Sequence, residues 1–315
     1  MFDGLTVAMV TPFRRDGALD LEGAARVADY MIEGGVEGLV VSGSTGEAAT
    51  TTLEERRTLW KQVHAHVRGR VPVIAGTGTN STAESITITR LAEELGLDGV
   101  MVVTPFYNKP TPRGQVAHFT AVANSTRLPV ILYNVPGRTA TNTLPETLEK
   151  TQSAANIVAV KEASGSLDQA SAVKAKTRFT LLSGDDSLTL PMIAVGATGV
   201  VSVAGNAAPR EMRALCDHAR AGRLAEAEAL HRRLLPLFRA LFVESNPGPV
   251  KFLLSAMGLI ENALRLPLVP VEPATEPVVL AAARSAGLEI PVPAAAGARA
   301  PGDGGSARAA AGRGR

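Results

Sequence analysis

Eight short runs of apolar, largely β-branched residues recur through the first 203 positions, each followed by a stretch with helical start signals. They are Thr6–Val10, Gly38–Ser42, Val71–Gly76, Gly99–Thr104, Pro129–Tyr133, Asn156–Lys161, Phe179–Gly184 and Gly199–Val203. The runs are nearly continuous hydrophobics rather than alternating ones, the pattern of strands buried on both faces in a parallel sheet. Thr52 with Glu55, and Ser81 with Glu84, have capping-box spacing, and Pro145 and Pro209 stand where first-turn prolines belong. Eight βα units in about 220 residues predict an α/β fold, a (β/α)8 (TIM) barrel, whose usual length is about 250. A doubly wound open sheet fits less well. No G-x-G-x-x-G follows the first run, and "GTGTNST" (Gly76–Thr82) offers only a lone G-x-G.

Beyond Gly222 the pattern becomes helical only, in Leu224–Phe242, Pro249–Ile260 and Ala274–Gly287. The expected organisation is a catalytic barrel over 1–222, a C-terminal helical extension over 223–291, and a disordered Ala/Gly/Pro/Arg tail over 292–315. The tail carries four arginines against one aspartate, more than the whole chain's net charge of +2. The body is therefore near neutral, which argues against nucleic acid as a partner of the folded part. No run of about 18 apolar residues predicts a membrane span. The first residues lack a basic segment before a long apolar run, so no secretory leader is read there. The single cysteine, Cys216, excludes an internal disulfide; a reducing, cytoplasmic setting is expected.

Lys161 ends the sixth run, at what would be the C-terminal rim of the barrel, where barrel enzymes hold their chemistry. Lysine is scarce here, with 7 residues against 25 arginines. An amine can lose its proton when desolvated and attack a carbonyl, which a guanidinium cannot do. The alternative is a snorkelling or ion-paired lysine at a strand end. Three other rim sequences shift the balance. "GSTGEA" (Gly43–Ala48) supplies a tight turn whose backbone N–H groups can cradle a carboxylate, with the hydroxyls of Ser44 and Thr45 beside them. "YNVPGRT" (Tyr133–Thr139) supplies a phenol able to relay protons and Arg138, suited to bidentate carboxylate binding. "VTPFYNKP" (Val103–Pro110) places Tyr107 on a rim loop. Ordinary turn, packing and surface roles are open to each taken singly. Together they make Schiff-base aldolase chemistry the stronger reading.

These residues, with "VAVKEASG", "LLSGDD", "GVVSVAGN" and "NPGPVK", make the chain resemble the dihydrodipicolinate synthase family over Met1 to Pro291. The resemblance implies a lyase, without metal or organic cofactor, that condenses pyruvate with aspartate 4-semialdehyde on the route to diaminopimelate and lysine. It implies that Lys161 forms the imine and Tyr133 shuttles protons. Ser44 and Tyr107 would complete the relay, with Tyr107 coming from a neighbouring subunit of a homotetramer built as a dimer of dimers. Thr45 and Gly46 N–H groups would hold the pyruvate carboxylate, Arg138 that of the semialdehyde, and Val203 would line the pyruvate pocket. Ser44 departs from the family's usual threonine; the hydroxyl remains, but the methyl that restricts its rotamer does not. Asn80 and Glu84 match the family's lysine-effector site, although the spacing to Ser81 also suits Glu84 to capping. Ala48, Leu53, Arg56 and Phe106 replace polar or hydroxylated groups of lysine-sensitive members, so weak or absent lysine inhibition is expected. The nearest alternatives are a sister pyruvate aldolase of the N-acetylneuraminate lyase or 4-hydroxy-2-oxoglutarate aldolase type, and a catalytically silent metabolite-binding barrel.

Other candidates read as structural. His64 and His66 do not share a helix face, and His118, His218 and His231 are scattered, so no zinc cluster is expected. Asp185 and Asp186 offer a Mg²⁺ reading, but one of them is expected to cap the next helix. Cys216, Trp60 and Lys251 are expected to pack.

Overall fold

The computed structural model describes residues 2–291; the tail over 292–315, read as disordered from its composition, lies outside them. Eight parallel strands form a closed barrel: β1 Gly4–Ala8, β2 Gly38–Val41, β3 Val73–Gly76, β4 Gly99–Val103, β5 Val130–Asn134, β6 Ile157–Glu162, β7 Thr180–Ser183 and β8 Gly199–Ser202. The helices along the barrel are α1 Leu21–Glu33, α2 Leu53–Val67, α3 Thr82–Glu94, α4 Pro112–Ala123, α5 Pro136–Thr139, α6 Pro145–Thr151, α7 Leu167–Lys176, α8 Thr189–Ala194 and α9 Pro209–Arg220. Then come α10 Leu224–Ala240, α11 Gly248–Ala256 and α12 Glu276–Ser285, with α10 packed on α9 and α12.

Every predicted strand is present, with shifted ends. The first run was expected over Thr6–Val10, but the ladder covers Gly4–Ala8. Met9 and Val10 are buried outside it, and Val10 N–H donates to Asn206 Oδ1 at 3.1 Å. Burial of a loop and burial of a strand leave the same apolar mark in a sequence. The sixth strand runs one residue past Lys161, to Glu162.

Alternation along each strand sorts its side chains into two cores. Val7, Leu39, Val41, Leu132 and Val160 face outward and pack with the helices. Ala8, Val40, Ile74, Met101, Ile131, Tyr133, Ala159, Leu182 and Val201 fill the barrel, with Phe2 among them. Capping follows the sequence in one helix fully and in another by half. Thr52 N–H donates to Glu55 Oε2 at 2.9 Å and Glu55 N–H to Thr52 Oγ1 at 3.2 Å. Ser81 Oγ accepts from Glu84 N–H at 3.4 Å, but the Glu84 carboxylate makes no return bond and lines a rim cleft instead.

The C-terminal extension is tied to the barrel by a buried charge. Lys251, in α11, is fully buried and donates to Glu47 Oε1 at 2.5 Å and to Thr11 O at 2.9 Å. The Phe13 ring centroid lies 4.5 Å from this ammonium and 4.3 Å from the Arg265 guanidinium. Arg265 in turn pairs with Glu55. Lys251 is structural, as expected, and Trp60 and Cys216 are fully buried too. Removing one member of such a pair strands the other charge. Lys251→Met is expected to lower unfolding free energy by about 3–5 kcal/mol in urea titrations, and the added Glu47→Gln change to recover part of that loss.

Candidate active site

β5 and β6 are neighbours in the barrel, and their register sets Tyr133 opposite Lys161. Tyr133 lies two positions after Ile131, and Lys161 two after Ala159, so both point inward with those barrel residues. The outcome is an amine over an aromatic face: Lys161 Nζ lies 4.1 Å from the Tyr133 ring centroid. Lys161 is only 4% exposed and has no hydrogen-bond or ion-pair partner among the described residues. Desolvation, opposed by the charges of Asp185 and Asp186, pulls its pKa down from 10.5 to about 8. Burial pushes the Tyr133 phenol the other way, well above its usual value, so Tyr133 stands as a protonated hydroxyl.

The turn after β2 is built for a backbone cradle. Ser42 at φ +53° and Glu47 at φ +51° bracket it in the left-handed region. Gly46 packs so closely that a Cβ would stand 3.0 Å from Ser42 N and 3.1 Å from Met9 O. Trp60 Nε1–H donates to Ser42 Oγ at 2.9 Å, and Thr11 Oγ1–H to Gly46 O at 2.7 Å. The Thr45 and Gly46 N–H groups donate to no acceptor among the described residues. Ser44 is exposed and Thr45 buried.

Two connected spaces open on this rim. An inner recess of about 60 Å³ is walled by Lys161, Tyr133, Ser44, Thr45, Arg138 and Val203, among others. An outer cleft of about 590 Å³ shares Ser44, Tyr133 and Arg138 and extends to Asn80, Glu84, Arg56 and Phe106. That volume is usual for a small-molecule site, about 300–1,000 Å³. The structure thus brings together Lys161, Tyr133, Ser44, Thr45, Arg138 and Val203, with Gly46 directly beside them. Tyr107 is not in this set: it is 87% exposed, at φ +71°, and its side chain stands away from the recess of its own chain.

The sequence reading missed Asn246. Its Nδ2 donates to Thr45 Oγ1 at 2.9 Å, and its carbonyl accepts from Arg138 Nη2 at 3.4 Å. It joins two candidate anion-binding groups across 108 and 201 positions of chain. The signal present was the motif "NPGPVK", which carries no chemistry of its own. The expectation that Asp185 or Asp186 caps the next helix is overturned. Neither side chain caps. Asp186 instead reaches across to β8, where Ser202 Oγ–H donates at 2.5 Å, Val203 N–H at 3.1 Å and Ala204 N–H at 2.8 Å. Three donors from the neighbouring strand end outweigh one local cap, and they fix the backbone at Val203. Among the described residues no group of His, Cys, Asp and Glu is placed to hold a metal. No helix of the described residues is long and apolar enough to cross a membrane.

Comparison with known proteins places this geometry in a family. The model of the dihydrodipicolinate synthetase family matches residues 1–286. The 4-hydroxy-tetrahydrodipicolinate synthase of Moorella thermoacetica is 50% identical over 286 residues, covering 90% of this chain and 98% of that protein. The crystal structure of the Thermotoga maritima dihydrodipicolinate synthase superposes with a TM-score of 0.90 at 43% identity, over 92% of this chain and all of that one (100%). The Acinetobacter baumannii dihydrodipicolinate synthase, solved in complex with pyruvate, gives a TM-score of 0.90 at 38% identity, over 92% of this chain and 100% of that one. The chain belongs to the dihydrodipicolinate synthetase family and is a lyase of the 4-hydroxy-tetrahydrodipicolinate synthase type.

Proposed function

We propose that the protein condenses pyruvate, held as a Schiff base on Lys161, with L-aspartate 4-semialdehyde. The observation that carries this reading is a desolvated amine with a pKa near 8, set 4.1 Å from the Tyr133 ring at the floor of a rim recess. A substantial neutral fraction of Lys161 is present near pH 8 and can attack the C2 carbonyl of pyruvate. Tyr133, kept protonated by burial, donates to the hydroxyl that leaves as water when the imine forms. The protonated imine withdraws electrons and acidifies the pyruvate methyl group. Tyr133, left as the phenolate by that donation, takes a methyl proton to give the enamine; the enamine attacks the aldehyde carbon, and Tyr133 returns the proton to the new alkoxide. The amino group of the joined product then attacks C2, and the C2–Nζ bond breaks to release Lys161.

Two carboxylates need two anion sites. The free Thr45 and Gly46 N–H groups suit the carboxylate of pyruvate, and the exposed Arg138 guanidinium suits that of the semialdehyde. Val203 walls the recess beside the pyruvate methyl. Ser44 supplies the relay hydroxyl with a freer rotamer than threonine. Tyr107 completes the relay from a second copy of the chain. The exposed side chains of Leu53, Phe106 and Tyr107 on this rim support such a covering copy, within a homotetramer. The chemistry calls on no metal or cofactor, and a cytoplasmic setting suits it.

The effector end of the cleft is altered. Arg56 is largely buried there and donates to Ala48 O at 2.6 Å and to Thr51 Oγ1 at 3.1 Å. Its charge faces Glu84, so a cation already neutralises the carboxylate that a lysine ammonium would seek.

Borohydride treatment with pyruvate, followed by peptide mapping, is expected to place the adduct on Lys161. A folded protein without an adduct would leave the silent-barrel reading in its place. The trapping rate is expected to rise with pH through a midpoint near 8 rather than 10.5, because the depressed pKa makes the amine neutral above that pH. Tyr133→Phe is expected to lower kcat by about 10²–10⁴-fold in steady-state assays. Turnover of aspartate semialdehyde should far exceed cleavage of sialic acid; the reverse would assign a sister aldolase. Lysine added to the assay is expected to inhibit weakly or not at all, and strong inhibition at low concentration would overturn that expectation.

A further inference from the structure

Lys161 makes no hydrogen bond or ion pair with any described residue, so the place of its amine is set by its backbone. The strand ladder alone does not fix that backbone. The register between β5 and β6 shifts after Val130: Val130 faces Ile157, and Ile131 faces Ala159. A slip of one residue in a strand pair turns every side chain to the opposite face, which would carry Lys161 out of the recess. The rung directly beyond Tyr133 and Lys161 pairs Asn134 with Glu162. Alternation along the strands turns these two away from the recess, and neither lines it or the outer cleft. Both are 1% exposed.

A carboxylate buried behind a strand is costly unless donors meet it, and Glu162 is met on both oxygens. Asn134 Nδ2–H donates to its Oε1 at 3.2 Å and its Oε2 at 3.1 Å, Ser164 N–H to Oε1 at 2.6 Å, and Gln169 Nε2–H to Oε2 at 3.1 Å. Asn134 is held from its other side, where Thr143 N–H donates to its Oδ1 at 2.9 Å. The chain of bonds then returns to β5. Thr143 Oγ1 lies 2.8 Å from Thr104 Oγ1, and the Thr104 hydroxyl donates to the Tyr133 carbonyl at 3.1 Å. One buried network thus grips the residue after the amine, the residue after the phenol and the phenol's own backbone. We propose that Glu162 and Asn134 are positioning residues, a carboxylate–amide clamp that holds the Tyr133 phenol in proton-transfer geometry with the imine formed on Lys161. The clamp acts from behind the strands, touches no substrate and leaves the Thr45–Gly46 turn to its own supports.

The inference rests on the Schiff-base reading and deepens it, and the test separates the two. Borohydride trapping reads imine formation. Exchange of the pyruvate methyl hydrogens in heavy water, followed by NMR, reads proton transfer at the imine without any aldehyde. Glu162→Gln sets an N–H donor against the donors this side chain must accept. In that variant, trapping should change by less than about threefold, while exchange per folded molecule falls on the order of 10- to 100-fold, the scale of a misplacement of about 1 Å at a reacting group. In the double variant Asn134→Asp with Glu162→Gln, donor and acceptor change places across the same rung, and exchange should return to within about threefold of the unaltered protein. Should Glu162→Gln not fold, Asn134→Ser, which removes the amide donor, is measured by the same criteria. Unchanged exchange in a folded single variant would overturn the proposal, because the network would then be structural only. An equal fall in trapping and exchange, or a double variant no better than the single one, would overturn it too. Failure to trap pyruvate in the unaltered protein would instead overturn the Schiff-base reading itself, and the inference with it.

Discussion

β8 hydrogen-bonds back to β1, with Gly4 through Val7 in register against Gly199 through Ser202, and most of the molecule follows from that closure. A parallel sheet closed on itself has no exposed edge, so each of the eight strands has a hydrogen-bonded neighbour on both sides. Closure also divides the side chains by parity. One set meets the helices; the other is shut inside, away from water. A polar side chain at an inward position near the rim is therefore desolvated on nearly every side while still facing the opening. Lys161 and Tyr133 occupy such positions on adjacent strands.

The two buried lysines show what that setting does to a charge. Both lose water, and burial lowers the pKa of each. Lys251 meets Glu47 at 2.5 Å and the Thr11 carbonyl at 2.9 Å, which opposes the shift and keeps its ammonium as a structural clamp. Lys161 has no such contact, only the more distant charges of Asp185 and Asp186 and the face of Tyr133. The same residue type is a tie in one place and, in the other, an unpaired amine that we propose as the nucleophile. The clamp also serves the site: Lys251 holds the Thr11 carbonyl, the Thr11 hydroxyl holds Gly46, and Asn246 holds Thr45. The C-terminal extension thereby steadies the turn that holds Thr45 and Gly46.

Much of this was legible in the chain. Continuous apolar runs with helix starts between them specified eight strands and their order, because the pattern of burial on two faces is local. The grouping of the rim residues was legible because Lys161, Tyr133 and the 43–48 turn directly follow or end those runs. Strand limits were less so: Met9 and Val10 are as apolar as their neighbours but belong to a loop. Local spacing also misled. Ser81 and Glu84 have capping-box spacing, yet the glutamate lines the cleft opposite Arg56, and Asp186 forgoes a local cap for three donors across the barrel.

By itself the sequence determined the repeating βα pattern, the placement of an amine, a phenol and a glycine turn at strand ends, and the uneven charge along the chain. Those are properties of neighbours, carried by periodicity and by intrinsic side-chain chemistry. Only the tertiary structure decided which lysine goes unpaired, that Asn246 spans Thr45 and Arg138, and that of two adjacent aspartates one is saturated and the other faces the recess. Each of these depends on groups up to about 200 positions apart meeting at one rim, and on how much water the closed barrel excludes there.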